Sequence, residues 1–300
     1  MLSLVTSTLA LNIGARVAPM RAPTVNMQVT AAAPAKVGDA LETVELTNGD
    51  SSATVYKFGA CVTSYKKGDT DYLMVRPDAK MDGSKPISGG IPFCFPQFGP
   101  GAIQQHGFAR NVDWEVSEKT ADKVVFTLSE NDYTMDMWPY KFTATYSVTL
   151  KADKLATEFT VTNTDSKVFD FTAALHSYWS CSAIKNVKVT SPSFDGATYL
   201  DKMQSPPADV KSASDSITIS SETDRVYAGV SGDVVLNDSG RKAPLTIANN
   251  LGWADTVIWN PYGSEAMGYD NFICVESALA AMPVALQPGE YWTGAMDVVP

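Results

Sequence analysis

Between residues 142 and 150 apolar and polar positions alternate without a break: Phe142, Ala144, Tyr146, Val148 and Leu150 are separated by Thr143, Thr145, Ser147 and Thr149. Successive side chains of a strand point to opposite faces, so the pattern predicts a half-buried β-strand. "KADK" at 151–154 reads as a turn into a second alternating run, "LATEFTVTN". "NTDSK" leads into "VFDFTAALH", and "QPGE" at 287–290 precedes a final "YWTGAMDVV". The same rhythm dominates from about residue 40 onward, with the first strand expected near Val44. No long window carries a helical period, and no internal repeat of about 20 to 50 residues is evident. These features predict an all-β fold, a large antiparallel β-sandwich, with no linker to divide residues 39–300.

Parity along these strands isolates two polar residues. In "VFDFTAALHSYW" the core stripe is Phe169, Phe171, Ala173 and Leu175. His176 shares its face with Asp170, Thr172 and Ala174, away from that stripe. Parity is equally consistent with a structural strand-edge histidine and with a functional one. Glu276 breaks the apolar run "FICVESA", where an unpaired carboxylate is expensive to bury. A salt bridge would satisfy it structurally. A partly desolvated site would instead raise its pKa toward the range of a base working near neutral pH.

Composition narrows the partners. The 300 residues carry a formal charge of −10 and lack the clustered Lys and Arg that grip a phosphate backbone, so nucleic acid is not an expected partner. No segment approaches the roughly 20 apolar residues of a membrane span. The four cysteines, Cys61, Cys94, Cys181 and Cys274, form no C-x-x-C pair and read as reduced, mostly buried thiols. The two histidines, His106 and His176, lie 70 residues apart, unlike a metal motif, and neither a metal nor any other cofactor is called for. Residues 1–38 differ from the rest, with Arg16, Arg21 and Lys36 but no acidic residue before Asp39. That is the composition of an organellar transit peptide, with the plastid as the expected address ahead of the mitochondrion, or else of a disordered tail without an address on a cytoplasmic protein.

"GGIPFCFPQFGPGAIQQHGFARN", residues 89–111, is too rich in Gly, Pro and aromatics for a regular element, yet holds His106. With "ALHSYW", "YLDK", "ETDRVY", "DTVIWNP" and "ICVESA" it follows the order and spacing of the hexose-6-phosphate mutarotases, so that from about residue 40 to the end the chain resembles the aldose 1-epimerase superfamily. The resemblance implies a galactose mutarotase-like β-sandwich that interconverts hexose 6-phosphate anomers, glucose 6-phosphate above all, without a cofactor. It implies Glu276 as base at the anomeric hydroxyl and His176 as acid at the ring oxygen. It places His106 and Asp201 at the sugar, with Gln97, Arg110 and Trp259 as further contacts or as scaffold. Family members usually carry arginine before Gly-Gly-Ile-Pro, where it is thought to help hold the phosphate; here the residue is Ser88. Arg110, Lys85, Lys202 and Arg225 are the candidate replacements. A monomer or weak oligomer acting on a small sugar phosphate is expected. The alternatives are a free-aldose 1-epimerase, a non-catalytic carbohydrate-binding sandwich, and a glycoside hydrolase, which would need two cooperating carboxylates.

Overall fold

The computed structural model describes residues 41–300 and the two-residue strand Met20–Arg21. Apart from that strand, the expected transit segment lies outside the described residues. Among the described residues no helix is long and apolar enough to cross a membrane.

The alternation read from sequence builds the middle of the fold. Phe142–Leu150 is buried at every second residue and pairs antiparallel with Leu155–Asn163, the turn closing where the Lys151 amide donates to the Lys154 carbonyl at 2.8 Å. Both strands belong to a ten-stranded antiparallel sheet. Facing it is an eight-stranded sheet that runs from Ala208–Lys211 through Thr198–Asp201, Thr223–Tyr227, Asp255–Asn260, Phe272–Leu286 and Phe169–Leu175 to Phe93–Cys94. A four-stranded sheet formed by residues 43–71 packs beside them.

The core between the two large sheets is aromatic. Phe159, on the ten-stranded sheet, lies 4.8 Å from Phe93, 5.6 Å from Phe95 and 6.2 Å from Trp292, measured between ring centroids. Burying such rings supplies a large share of the apolar area that drives folding, and their tilted contacts add selectivity for one packing. The one α-helix among the described residues, Asp132–Met137, has a capping box in which Asn131 and Thr134 satisfy each other's backbone amides. At six residues it is too short to leave a periodic signature in the sequence.

The C-terminal segment ties the layers together. Phe272–Leu286 lies inside the eight-stranded sheet, between Asp255–Asn260 and Phe169–Leu175. After the "QPGE" turn, Glu290–Val299 crosses into the interior of the ten-stranded sheet, between Leu245–Leu251 and Leu155–Asn163.

Candidate active site

Strand register brings the candidate residues together. Leu175 pairs with Ser277 and Tyr178 with Cys274, so His176 stands opposite Glu276 where the ladder is interrupted. The His176 amide turns aside to the Pro92 carbonyl at 2.9 Å. His176 Nε2 lies 3.5 Å from Glu276 Oε1, with the carboxylate 1% exposed and the imidazole 12%. On the other side of the same strand Trp259 pairs with Cys274, Asp224 pairs with Trp259, and the Lys202 amide donates to the Asp224 carbonyl. Because alternate residues share a face, one side of the sheet presents Lys202, Asp224, Trp259, Cys274 and Tyr178 in one row and His176 with Glu276 beside it. The floor between them is apolar, made of Cys94, Ala174, Val226, Val257 and Ala278. A cavity of about 730 Å³ adjoins it, lined by Phe98, Leu200, Lys202, Val226 and Ala280 among others.

Burial sets the electrostatics. Desolvation raises the Glu276 carboxyl well above its ordinary value, Asp224 pushes the same way, and Lys202 and Arg110 oppose. Desolvation lowers His176, aided by His106, Arg110 and Lys202. Glu276 Oε2 and His176 Nδ1 are both buried without a hydrogen-bond partner among the described residues. An unpaired buried polar atom costs about 1–3 kcal/mol, so these atoms are poised for a ligand that can pair with them. His176, Cys274 and Glu276 also bring N, S and O atoms within 4.8 Å of one another, a set that could hold a divalent ion. Metal bonds of about 2.0–2.3 Å would require the three to close in.

The loop carrying His106 is shaped by backbone contact. His106 adopts φ +66 and Gly107 φ +71, and a Cβ on Gly107 would lie 2.1 Å from the Phe95 carbonyl oxygen. Gly90 is needed for the same reason, since its Cβ would lie 2.1 Å from the Val62 oxygen. His106 Nδ1 accepts from the Gly99 amide at 3.1 Å and sits 3.0 Å from the Cys94 thiol. Burial, then Arg110 and Lys202, lower His106 to about 3. It is therefore neutral at physiological pH with its proton on Nε2, its ring 5.5 Å from that of His176.

The other sequence candidates divide. Trp259 packs edge-on against His176 at 5.7 Å and lines the site. Arg110 donates to the Gln105 carbonyl at 2.9 Å, and its Nε is buried and unpaired among the described residues. Gln97 is occupied as a brace: its side chain bonds Gly99, Ile103 and Gln104 within its own loop. Lys85 is exposed. Asp201 pairs with Arg225 on the reverse face of its strand from Lys202 and Asp224, and accepts from the Met203 amide in the following turn. Arg225 stacks on Tyr199 at 4.7 Å, also on that reverse face. The carboxylate that the register places beside Trp259 is Asp224. Counting parity outward from Glu276 through Trp259 would have found it, but only with the strand pairing known. Tyr178, stacked on His176 at 5.0 Å, is a further residue that the sequence did not single out.

Known proteins share this arrangement's frame. The family described as Aldose 1-epimerase matches residues 42–298. A protein of Cenchrus ciliaris named "Putative glucose-6-phosphate 1-epimerase" is 31% identical over 274 residues, which is 83% of this chain and 82% of that one. One of the same name from Escherichia coli is 28% identical over 81% of this chain and 85% of its own. Among solved structures, a "putative mutarotase" from Salmonella typhimurium superposes with a TM-score of 0.78 at 24% identity, covering 92% of this chain and 96% of that one. The Slr1438 protein from Synechocystis gives 0.77 at 20% identity, over 92% and 99% of the two chains.

Proposed function

The chain belongs to the aldose 1-epimerase family, and from that premise we propose that it interconverts the α and β anomers of a hexose 6-phosphate, glucose 6-phosphate being the first substrate to try. The observation that carries the reading is the register that sets His176 opposite Glu276 at 3.5 Å on an apolar floor. Mutarotation removes a proton from the anomeric hydroxyl while the ring oxygen gains one. The pyranose opens to the aldehyde, the C1–C2 bond rotates, and the ring recloses on the other face. Both oxygens are bonded to the same carbon, so their proton carriers must stand close together, as these two do. Glu276 takes the hydroxyl proton and protonated His176 supplies the ring oxygen; on reclosure the roles reverse.

The surrounding groups support that exchange. Lys202 and Arg110 favour the Glu276 carboxylate against the burial that opposes it. His106, neutral and held by Gly99, offers its Nε2 proton to a sugar hydroxyl. Trp259 and Tyr178 wall the site with aromatic faces. The residue opposite Glu276 is a histidine and not a second carboxylate, which favours anomer exchange over glycoside cleavage. The test is a coupled assay begun with pure α-glucose 6-phosphate, beside free glucose, galactose and a glycoside. Acceleration of anomer exchange above the spontaneous rate is expected. Release of a reducing end from the glycoside without anomer exchange would overturn the reading.

A further inference from the structure

Each cation near the site has a partner within the protein. Lys202 pairs with Asp224 at 3.3 Å and lies over the Phe98 ring, on the cavity side of Glu276. Arg110 is tied to the Gln105 carbonyl. A third cation, Arg76, stands on the opposite flank. Val75 bridges Gly89, and the Arg76 amide donates to the Ser88 carbonyl at 2.9 Å, which makes Arg76 and Ser88 cross-strand partners. The backbones are pressed together there: a Cβ on Gly89 would lie 2.4 Å from the Val75 Cα. The Met74 amide donates to the Tyr178 carbonyl and the Tyr178 amide to the Gly90 carbonyl, so both segments are fixed to the strand that follows His176.

The Arg76 side chain is 12% exposed and engages the Tyr178 hydroxyl. Tyr178 in turn stacks on His176 and pairs with Cys274, two residues from Glu276 along the strand. Two residues of strand span about 7 Å, so Arg76 lies beyond Tyr178, on the flank of His176 and Glu276 opposite the cavity. Asp78 takes Nε and one Nη of Arg76, at 2.9 and 2.5 Å. A guanidinium has five N–H donors, so Asp78 can hold its orientation while other donors remain for phosphate oxygens.

We propose that Arg76 is the residue that recognises the 6-phosphate, acting across the bridge from Ser88, from the flank where an arginine at position 88 would stand. The assignment rests on the hexose 6-phosphate reading above and names the side chain that makes the ester a better substrate than the free sugar. Arg76→Ser is expected to raise KM for glucose 6-phosphate by about tenfold to a hundredfold, the scale of a lost charge-assisted pair, with kcat much less affected. The ratio of kcat/KM for ester over free glucose should fall by the same factor. The exchanged variant, Arg76→Ser with Ser88→Arg, should recover most of that ratio, which a general loss of structure could not do.

A wild type that prefers the ester, with Arg76→Ser retaining that preference, would overturn the assignment and leave the epimerase reading standing. A wild type that accelerates neither sugar would remove the epimerase reading, and the assignment with it. Should Arg76→Ser fail to fold, Arg76→Lys keeps the charge without the fork. A partial fall in the ratio then supports Arg76, and an unchanged ratio overturns it.

Discussion

Glu276 and His176 form one titrating unit. Its one-proton form is electrically neutral overall, whether the proton sits on the carboxyl or is shared out as carboxylate and imidazolium. Gaining or losing a proton creates net charge in a buried site, and burial resists both. The histidine's pKa is pushed down and the carboxyl's up, so the one-proton form rests as carboxylic acid beside neutral imidazole, and transfer of that proton gives the carboxylate–imidazolium pair that reacts. A bell-shaped pH–rate profile is expected, its acid limb below the ordinary histidine value of about 6.5 and its basic limb well above the ordinary carboxyl value of about 4.3. His106, lowered to about 3, contributes no limb of its own in that range, but it helps hold His176 down, so His106→Asn should lower the rate and move the acid limb upward while leaving the basic limb in place. A basic limb that moves with His106→Asn would overturn that account, because His106 is not among the groups that shift Glu276. Glu276→Gln and His176→Asn, if folded, should each lose about two or more orders of magnitude in kcat by polarimetry, the scale of a positioned proton-transfer group.

At the level of the element, the site is a property of register. Alternation made Phe142–Leu150 and Leu155–Asn163 legible, and parity turned His176 away from the core stripe. Which strands are neighbours is not encoded locally. Asp224 reaches the face of Glu276 through two successive pairings and Lys202 through a third, none of which a short window of sequence reveals. The family resemblance pointed to Asp201, but one residue's difference in parity sends a side chain to the other face, and Asp201 pairs with Arg225 on the reverse. Arg76 escaped notice for a related reason: it is 12 residues from Ser88 in sequence and beside it only through the bridge. The loop of His106 is governed by its glycine. Gly107→Ala should destabilise the protein by more than the ~1 kcal/mol charged for a left-handed alanine alone, because the added methyl also meets the Phe95 carbonyl. Gly49→Ala, at φ +61 with no atom within 4 Å, is the matched control in a denaturant titration. Equal losses at the two positions would mean that the loop yields to the clash.

At the scale of the whole molecule, composition and topology make separate predictions. A fluorescent fusion of residues 1–40 should carry its cargo into an organelle, the plastid by the composition of that segment, whereas a diffuse cytosolic signal would refute the address. The other end completes the fold. Phe272–Leu286 carries Glu276 into the middle of one sheet, and Glu290–Val299 fills the middle of the other. Before these residues leave the ribosome, each sheet is two separated halves and His176 has nothing opposite it. A product truncated before residue 276 therefore cannot be a weaker enzyme; it lacks half of the acid–base pair. Because so many of the stabilising pairings join distant parts of the chain, the nascent protein must remain unfinished, with its strand edges open, until residues 272–299 have emerged. Until then His176 waits for the carboxylate that makes it useful.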